Sequence, residues 1–285
     1  MARASAGLVV ALIAGVLLGG CSAPKAKDGG RTEVVVSLPV VAYFVERIGG
    51  GLVEVSAMIP QSASHDTYTP RPSQMAALSG AAAYLALGPL DFETTWQERL
   101  TSVSPQMRWV RLDEGIELHE GECCGSCSHE DPHYWMSPRR AAQMCRNISA
   151  ELKNLLPGSA GRIDSAEAVV EAEVKAYDGR LRELGERNPG RAFMIYHPAL
   201  GYMAADYGFR QIAIEHEGAA PSARTYMELT KDAKAQGAGV VFVQEGYDPV
   251  RAEAAAAELG AKIVSINPEG YDWGKTMEII LEALQ

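Results

Sequence analysis

The sequence predicts an α/β protein of two lobes, each a mostly parallel sheet with flanking helices, joined by one long backbone helix. Two observations predict this fold. Short apolar runs alternate with helical patterns in both halves of the chain, and a long segment between the halves has no strand pattern. Such alternation is typical of parallel sheets, because each crossover between parallel strands needs a helix-length connection. A chain of 285 residues is long enough for two domains.

The amino terminus, residues 1–20, is predicted to be a lipoprotein signal peptide. Arg3 precedes an apolar run over 8–18, which is shorter than the roughly 20 residues of a membrane-spanning helix. A Leu-Gly-Gly-Cys sequence at 18–21 resembles the bacterial lipobox, so Cys21 is the predicted lipidation site and first mature residue. The alternative is an ordinary signal peptide with an incidental cysteine.

Residues 21–31 are predicted to form a flexible tether, because this stretch is rich in Lys, Gly and Asp. A lipid on Cys21 would anchor the exported protein to the cell-envelope membrane without a spanning helix. The protein would then face the periplasm or the cell exterior, and the sequence leaves open which membrane carries it.

Residues 32–158 are predicted to form the N-terminal lobe. Its first strand is a β-branched run over 34–38, of the kind found in buried parallel strands. Similar runs follow at 53–59, 81–87 and 109–112. Helical patterns lie between them at 43–48 and 72–78.

Residues 159–187 are predicted to form the linking helix. Apolar residues recur there at three- and four-residue steps, as on one face of an amphipathic helix. They are Ile163, Val170, Val174, Tyr177, Leu181 and Leu184. Such a helix would be roughly 40 Å long, so it could run along both lobes and restrict them to small relative shifts.

Residues 188–285 are predicted to form the C-terminal lobe, which repeats the scheme of the first. Predicted strands lie at 192–196, 211–214, 240–243 and 263–266. Predicted helices lie at 223–235, 249–259 and 273–284.

The charge balance excludes one class of partner. The chain has 26 basic and 36 acidic residues, a net charge of −10. No basic face is available to neutralise phosphates, so we expect no nucleic-acid partner. We expect a monomer.

Three of the six histidines have sequence settings that predict a metal site. His65 lies between a predicted strand and a predicted helix, His133 follows Asp-Pro, and His197 directly follows a predicted strand. Ligands of open parallel sheets bind beyond the carboxyl ends of strands. His65 and His197 fit that rule, one in each half, which places the predicted site in the cleft between the lobes. The alternative is three unrelated polar contacts.

These motifs resemble those of a known family. His65 is followed by Tyr68, Pro70 and Ser73, residues 131–138 read Asp-Pro-His-Tyr-Trp-Met-Ser-Pro, and His197 is followed by Gly-Tyr at 201–202. The pattern resembles the metal-receptor lipoproteins of zinc and manganese ABC transporters over nearly all of the mature chain. The resemblance implies a receptor that binds one divalent metal between its lobes and delivers it to a membrane permease.

The ligand types favour zinc over manganese. The resemblance implies that manganese receptors pair two histidines with two carboxylates, whereas zinc receptors use three histidines. Here the third position is His197, and the family's late acidic position is Asn267. Zn²⁺ accepts three imidazoles readily, and Mn²⁺ prefers oxygen ligands. We therefore predict Zn²⁺ at His65, His133 and His197, with the fourth ligand left open between water, Asn267 and a nearby carboxylate such as Glu217.

A polar loop over 118–131 precedes the Asp-Pro-His motif and is rich in metal-binding side chains. Zinc receptors of the family often carry a His- and acid-rich loop here, and in this chain Cys123, Cys124 and Cys127 replace many of its histidines. The loop could capture zinc with low affinity. It could instead hold a disulfide such as Cys124–Cys127, since exported proteins meet oxidising conditions, or be a solvated loop without a role.

The remaining candidates are assigned supporting or structural positions. His119, His129 and His216 are placed outside the primary site. Tyr68 and Trp135 are expected to pack around the metal-binding histidines and fix their rings. Cys145 lies in a helical pattern and is expected to be a small buried apolar residue.

Three rival functions are set against the zinc receptor. A zinc hydrolase would also use three histidines and a water, but the sequence has no His-Glu-x-x-His helix and no recognisable general base, so we predict no enzyme. A surface adhesin is the second rival. A manganese or iron receptor of the same family is the third.

Overall fold

A four-stranded parallel sheet forms the first lobe in the computed structural model, which describes residues 30–61, 63–65, 67–120, 130–215, 220–247 and 249–285. Its strands are β1 (Thr32–Val36), β2 (Val53–Ala57), β3 (Ala83–Ala86) and β4 (Arg108–Arg111). Their order is β2-β1-β3-β4, and every neighbouring pair is parallel. The predicted signal peptide and Cys21 lie outside the described residues.

Three helices follow strands of this sheet. They are α1 (Pro39–Gly49), α2 (Pro72–Ala77) and α3 (Asp91–Val103). Helix α1 begins earlier than predicted, because Pro39 occupies the first helical turn, where a missing N–H costs nothing. Helix α3 was not predicted, since it buries only Phe92, Glu93 and Leu100 and so carries a weak apolar stripe.

Two long helices connect the lobes. Helix α4 (Pro138–Leu155) packs along helix α5 (Ala160–Arg187), whose 28 residues correspond to about 42 Å. Helix α5 also contacts α1 of the first lobe. The long linking helix predicted from the apolar stripe is therefore present.

The second lobe repeats the topology of the first. Its strands are β5 (Ala192–Ile195), β6 (Arg210–Ala213), β7 (Val240–Gln244) and β8 (Lys262–Ile266), in the order β6-β5-β7-β8 and all parallel. Its helices are α6 (Gly201–Tyr207), α7 (Ala223–Ala235), α8 (Val250–Leu259) and α9 (Trp273–Leu284). The predicted two-lobed α/β class is confirmed. Within the part of the chain that the structure describes, no helix combines the length and apolarity needed to cross a membrane.

Two buried tryptophans join the lobes next to the segment that carries His133. The Trp135 Nε1 donates to the backbone oxygen of Pro268 at 2.9 Å, and the Trp273 Nε1 donates to the backbone oxygen of Trp135, also at 2.9 Å. Both rings are fully buried, and that of Trp273 packs edge-on against Phe44 of α1. The carboxyl-terminal segment is thus fixed to the first lobe by hydrogen bonds and by apolar contact.

Candidate metal centre

The fold brings together the three histidines predicted from the sequence. His65 follows β2, His133 lies in a 3₁₀ turn ahead of α4, and His197 follows β5. One ligand atom of each lies within 4.8 Å of those of the other two. The ring centroids are 5.2–6.0 Å apart. These residues, the three-histidine cluster, are the one such group of His, Cys, Asp and Glu found among the described residues.

The three histidines are more buried than polar side chains usually are. The exposed fractions are 3% for His65, 1% for His133 and 3% for His197. The Nε2 atoms of His133 and His197 have no hydrogen-bond partner. An unsatisfied buried polar atom costs about 1–3 kcal/mol, and a cation that accepts the two lone pairs would remove that cost.

Each histidine is paired through Nδ1 with a carboxylate. His133 contacts Asp131 at 2.8 Å, and the same Asp131 oxygen accepts from the backbone N–H of His133. His197 contacts Glu215 at 3.0 Å. His65 contacts Glu269 at 2.8 Å.

The pairing fixes which ring nitrogen is available to a metal. A carboxylate beside Nδ1 favours the tautomer that carries its proton there, which leaves the lone pair on Nε2. We assign this tautomer to all three rings from their hydrogen bonds. Histidines that bind metals usually make this second contact, which orients the ring and raises its basicity.

Burial and charge also set the protonation of the site. Burial lowers the pKa of His133 below its ordinary value, and the hydrogen bond to Asp131 opposes this only in part. Burial by itself would raise the pKa of Glu269, but its hydrogen bond to His65 and the nearby histidines lower that pKa overall. The lowered pKa of His133 favours its neutral form, whose Nε2 lone pair can bind a divalent cation.

Neighbouring side chains hold the rings in place. The Tyr247 ring stacks on His197, with centroids 5.5 Å apart, and the Gln244 amide bonds both the backbone N–H and the backbone oxygen of His197. The Trp135 ring lies 5.2 Å from that of His133, as expected from the sequence. Tyr68 lies near Phe92 and donates to Gln74.

The other candidates lie outside the cluster or outside the described residues. The His119 ring stacks on Tyr202, and its Nε2 is 3.0 Å from an Arg140 nitrogen. The Asn267 side chain donates to Glu245 at 2.9 Å. Cys145 is buried in α4, and burial raises the pKa of its thiol. The cysteines at 123, 124 and 127, together with His129, His216 and Glu217, lie in segments that the structure does not describe.

Sequence reasoning missed the roles of the three carboxylates. Asp131 was visible two residues before His133, within the motif itself. Glu215 follows the end of β6 and so satisfies the same strand-end rule that selected His197. Glu269 follows the end of β8 and so satisfies the rule as well, but its partner His65 is 204 residues away, and the sequence does not indicate that pairing.

Known proteins resemble the chain over most of its length. The family model described as ZnuA, zinc-uptake complex component A, periplasmic, matches residues 34–285. The zinc-binding lipoprotein AdcA of Streptococcus pneumoniae (strain TIGR4) is 24% identical over 273 residues, which cover 92% of this chain and 54% of that protein. This chain therefore spans about half the length of that relative.

Two further comparisons cover nearly the whole of both proteins. The high-affinity zinc uptake system protein ZnuA of Bacillus subtilis (strain 168) is 25% identical over 280 residues, covering 92% of this chain and 87% of that protein. A solved zinc-bound deletion mutant of ZnuA superposes with a TM-score of 0.81 at 34% identity, covering 89% of this chain and 96% of the other.

Proposed function

The chain belongs to the ZnuA family of periplasmic zinc-uptake components, and we propose that it is the extracytoplasmic receptor of an ABC importer. It captures Zn²⁺ between its two lobes and delivers it to the membrane permease. The observation that carries this proposal is the buried three-histidine cluster, in which two Nε2 atoms have no partner. The zinc-bound relative and the zinc-uptake names of the other relatives support the same metal.

The proposed ligands are the Nε2 atoms of His65, His133 and His197. Zinc fits this donor set better than manganese does, because three imidazoles supply nitrogen and the adjacent carboxylates are already engaged by Nδ1 atoms. Tetrahedral zinc needs a fourth ligand. A cavity of about 90 Å³, lined in part by His197, Asn267 and Glu269, adjoins the cluster at His197, and we propose that a water from it supplies this ligand.

The carboxylates also favour a receptor over a zinc hydrolase. A hydrolase needs a general base beside the metal-bound water. Among the described residues, Asp131, Glu215 and Glu269 each face a histidine Nδ1 and serve to orient the rings. We therefore propose that the protein is not an enzyme, in keeping with relatives that are named for zinc uptake.

Export and anchoring complete the proposal. A lipid on Cys21 would hold a monomeric receptor at the membrane surface, where the permease lies. A relative named as a zinc-binding lipoprotein supports this placement.

Metal analysis and competition binding test the function. Protein purified without added metal should contain close to one zinc per chain, and Zn²⁺ should displace Mn²⁺ completely in a competition titration. A chain that carries no zinc and prefers Mn²⁺ would contradict the proposal.

A further inference from the structure

The Gly-Tyr pair at 201–202, which the motif comparison singled out, contacts Asp131 from the first turn of α6. Helix α6 belongs to the second lobe and begins at Gly201. Asp131 lies two residues before His133 and supplies the carboxylate at its Nδ1. Neither residue of the pair belongs to the three-histidine cluster, so their link to the metal centre runs through Asp131.

The Tyr202 hydroxyl bonds two segments that meet beside His133. It donates to the backbone oxygen of Asp131 at 2.7 Å and accepts from the backbone N–H of His119 at 3.0 Å. The Asp131 N–H in turn donates to the His119 oxygen at 2.9 Å. Tyr202 is fully buried, and burial raises the pKa of its hydroxyl, which therefore keeps the proton that it donates. The backbone of Asp131 is thus held at both its N–H and its oxygen.

The Tyr202 ring has contacts of its own that do not involve the hydroxyl. The His119 ring stacks on it with centroids 4.4 Å apart, and the Arg140 guanidinium lies 4.6 Å from its centroid. Arg140 also donates to both carboxylate oxygens of Asp206 in α6, at 2.9 and 3.1 Å. Removal of the hydroxyl alone would therefore leave the packing around the ring in place.

Gly201 leaves room for the Asp131 carboxylate. A Cβ built on Gly201 would lie 3.2 Å from Asp131 Oδ2 and 3.6 Å from Gln211 Nε2. The first distance is shorter than an ordinary van der Waals contact, so the carboxylate would have to shift to admit a side chain. Its other oxygen, Oδ1, accepts from both the backbone N–H and the Nδ1 of His133 at 2.8 Å. A shifted carboxylate would lose its alignment with that ring.

We propose that Gly201 and Tyr202 are positioning residues that set the Asp131 carboxylate on His133. Tyr202 fixes the Asp131 backbone through its hydroxyl, and Gly201 leaves the space that the Asp131 side chain fills. The carboxylate then holds the Nδ1 proton of His133 and leaves its Nε2 lone pair to the metal. This inference rests on the proposed function, because it assigns roles within the same metal site.

The zinc affinity of matched variants of the full mature chain tests the role of the hydroxyl. Tyr202→Phe removes two hydrogen bonds and keeps the ring, so it should weaken zinc binding about 3- to 10-fold in a competition titration. Tyr226→Phe is the matched control, because the Tyr226 hydroxyl also donates to a backbone oxygen, that of Arg251, at 3.0 Å. The control should bind zinc as wild type does. Far-UV circular dichroism checks that both variants are folded.

A second pair of variants tests the space at Gly201. Gly201→Ala should weaken zinc binding about 10-fold, the lower end of the effect of losing the hydrogen-bond partner of a ligand ring. Gly179→Ala, at an exposed helical position, is the control and should bind zinc as wild type does. Wild-type affinity in Gly201→Ala would show that the carboxylate does not depend on this space.

A double-mutant cycle separates positioning of Asp131 from a general structural effect. Asp131→Ala should weaken zinc binding about 10- to 100-fold. In that background Tyr202→Phe has no carboxylate left to position, so it should cause no further loss of affinity. An equal loss from Tyr202→Phe in both backgrounds would overturn the inference.

The imidazole NMR signals of His133 report on the same point in zinc-free protein. Long-range proton–nitrogen spectra distinguish a proton on Nδ1 from a proton on Nε2. Tyr202→Phe should move the His133 signals toward a mixture of the two tautomers, and those of His65 and His197 should stay as in wild type. His133 signals identical to those of wild type would contradict the positioning role.

The outcomes separate this inference from the function on which it rests. If wild type binds zinc and His133→Ala abolishes tight binding, but Tyr202→Phe and Gly201→Ala bind like wild type, the positioning role is wrong and the function stands. Wild type that binds no zinc would remove the function itself.

Discussion

At the scale of single residues, the proposed metal centre consists of three histidine rings, each of which contacts a carboxylate. The imidazoles come from loops that follow β2, β4 and β5, and each Nδ1 contacts an acidic oxygen at 2.8–3.0 Å. One ligand atom of each ring lies within 4.8 Å of those of the other two. Loss of any one ring would remove a proposed ligand.

Replacement of each ligand should weaken zinc binding strongly. His65→Ala, His133→Ala and His197→Ala should each lower the affinity by orders of magnitude while the far-UV circular dichroism stays unchanged, since the sheets are held by other residues. A competition titration against a chromophoric chelator measures the affinities. His119→Ala is the control and should remain close to wild type. Equal affinity in the three ligand variants and wild type would refute the site.

A buried carboxylate in the first lobe should make stability depend on pH. Glu93 is 1% exposed and accepts from Ser37 and from the backbone N–H groups of Leu87 and Gly88. Burial raises the pKa of Glu93 from 4.5 to about 7, although its hydrogen bonds oppose the rise. The folded state therefore binds the proton more tightly than the unfolded state does.

Because the folded state binds this proton more tightly, the free energy of unfolding should fall as pH rises. As pH rises from about 4.5 to about 7, the folded protein should lose on the order of 3 kcal/mol relative to a chain without this group. Urea unfolding of metal-free wild type and of Glu93→Gln, at pH 5 and at pH 7.5, measures this loss of stability. Between pH 5 and pH 7.5 the free energy of unfolding of wild type should fall relative to that of the variant. An equal change in both proteins would show that Glu93 does not titrate in this range.

The histidines could be predicted from the sequence, whereas their pairing with carboxylates was missed. The histidines stand at strand ends and in a specific Asp-Pro-His motif, which are local signals. Glu269 lies just after β8, but only the fold shows that it contacts His65, 204 residues away. Its neighbour Asn267, which the motif comparison pointed to, donates to Glu245 instead.

At the scale of elements, helix α5 depends on one close approach to α6. A Cβ built on Gly185 would lie 1.9 Å from the backbone oxygen of Tyr207, so the two helices meet at this glycine. Gly179 in the same helix is exposed, and a Cβ built on it would meet no heavy atom of the described residues within 4 Å outside its own helix backbone. The two positions therefore form a matched pair.

Alanine at these two glycines should change stability in opposite directions. The methyl group of Gly185→Ala would push α5 away from α6 and should lower the free energy of unfolding by about 1–3 kcal/mol. Gly179→Ala improves helix propensity and should raise it by about 0.5–1 kcal/mol. Urea denaturation of both variants measures the changes, and a stabilising Gly185→Ala would contradict the observed contact.

The loop over 121–129 should be dispensable for tight binding. Glu120 and Glu130 form an antiparallel bridge at its base, and the Asp131 N–H donates to the His119 oxygen at 2.9 Å, so a short turn could close the gap. A variant without residues 121–129 should bind zinc about as tightly as wild type in a competition titration. Loss of high-affinity binding would mean that the loop supplies a primary ligand.

The elements differ in how well the sequence predicts them. Helix α5 was predicted within a residue at its start because its apolar stripe is long and has no strand-like interruption. Helix α6 has seven residues, too few for a period to be recognised, and it was missed. The eight strands were located, with ends that differ by at most two residues. One cause is a buried loop that continues the apolar run, as at Met58 and Ile59.

At the scale of the whole molecule, the lobes are joined by the long helix and by the two tryptophan hydrogen bonds. We expect this arrangement to restrict the lobes to small relative shifts. The sequence could indicate two lobes because its alternation pattern repeats. The contacts that close them come from residues more than 130 positions apart and carry no local pattern.

Zinc should stabilise the folded molecule through mass action. Free zinc at 100 times its dissociation constant should raise the free energy of unfolding by about 2.7 kcal/mol if the unfolded chain does not bind it. Differential scanning calorimetry with and without a chelator detects this as a shift of Tm. His197→Ala should show almost no shift, and a shift equal to that of wild type would place the metal elsewhere.

X-ray absorption at the zinc edge tests most directly whether three imidazoles from both lobes bind one ion. The spectrum of the zinc-loaded mature chain should show four light ligands at about 2.0–2.1 Å, with the outer-shell scattering of three imidazole rings. The Nε2 atoms of His65, His133 and His197 account for three of them. Sulfur ligands at about 2.3 Å, or scattering from fewer than three imidazoles, would contradict the account.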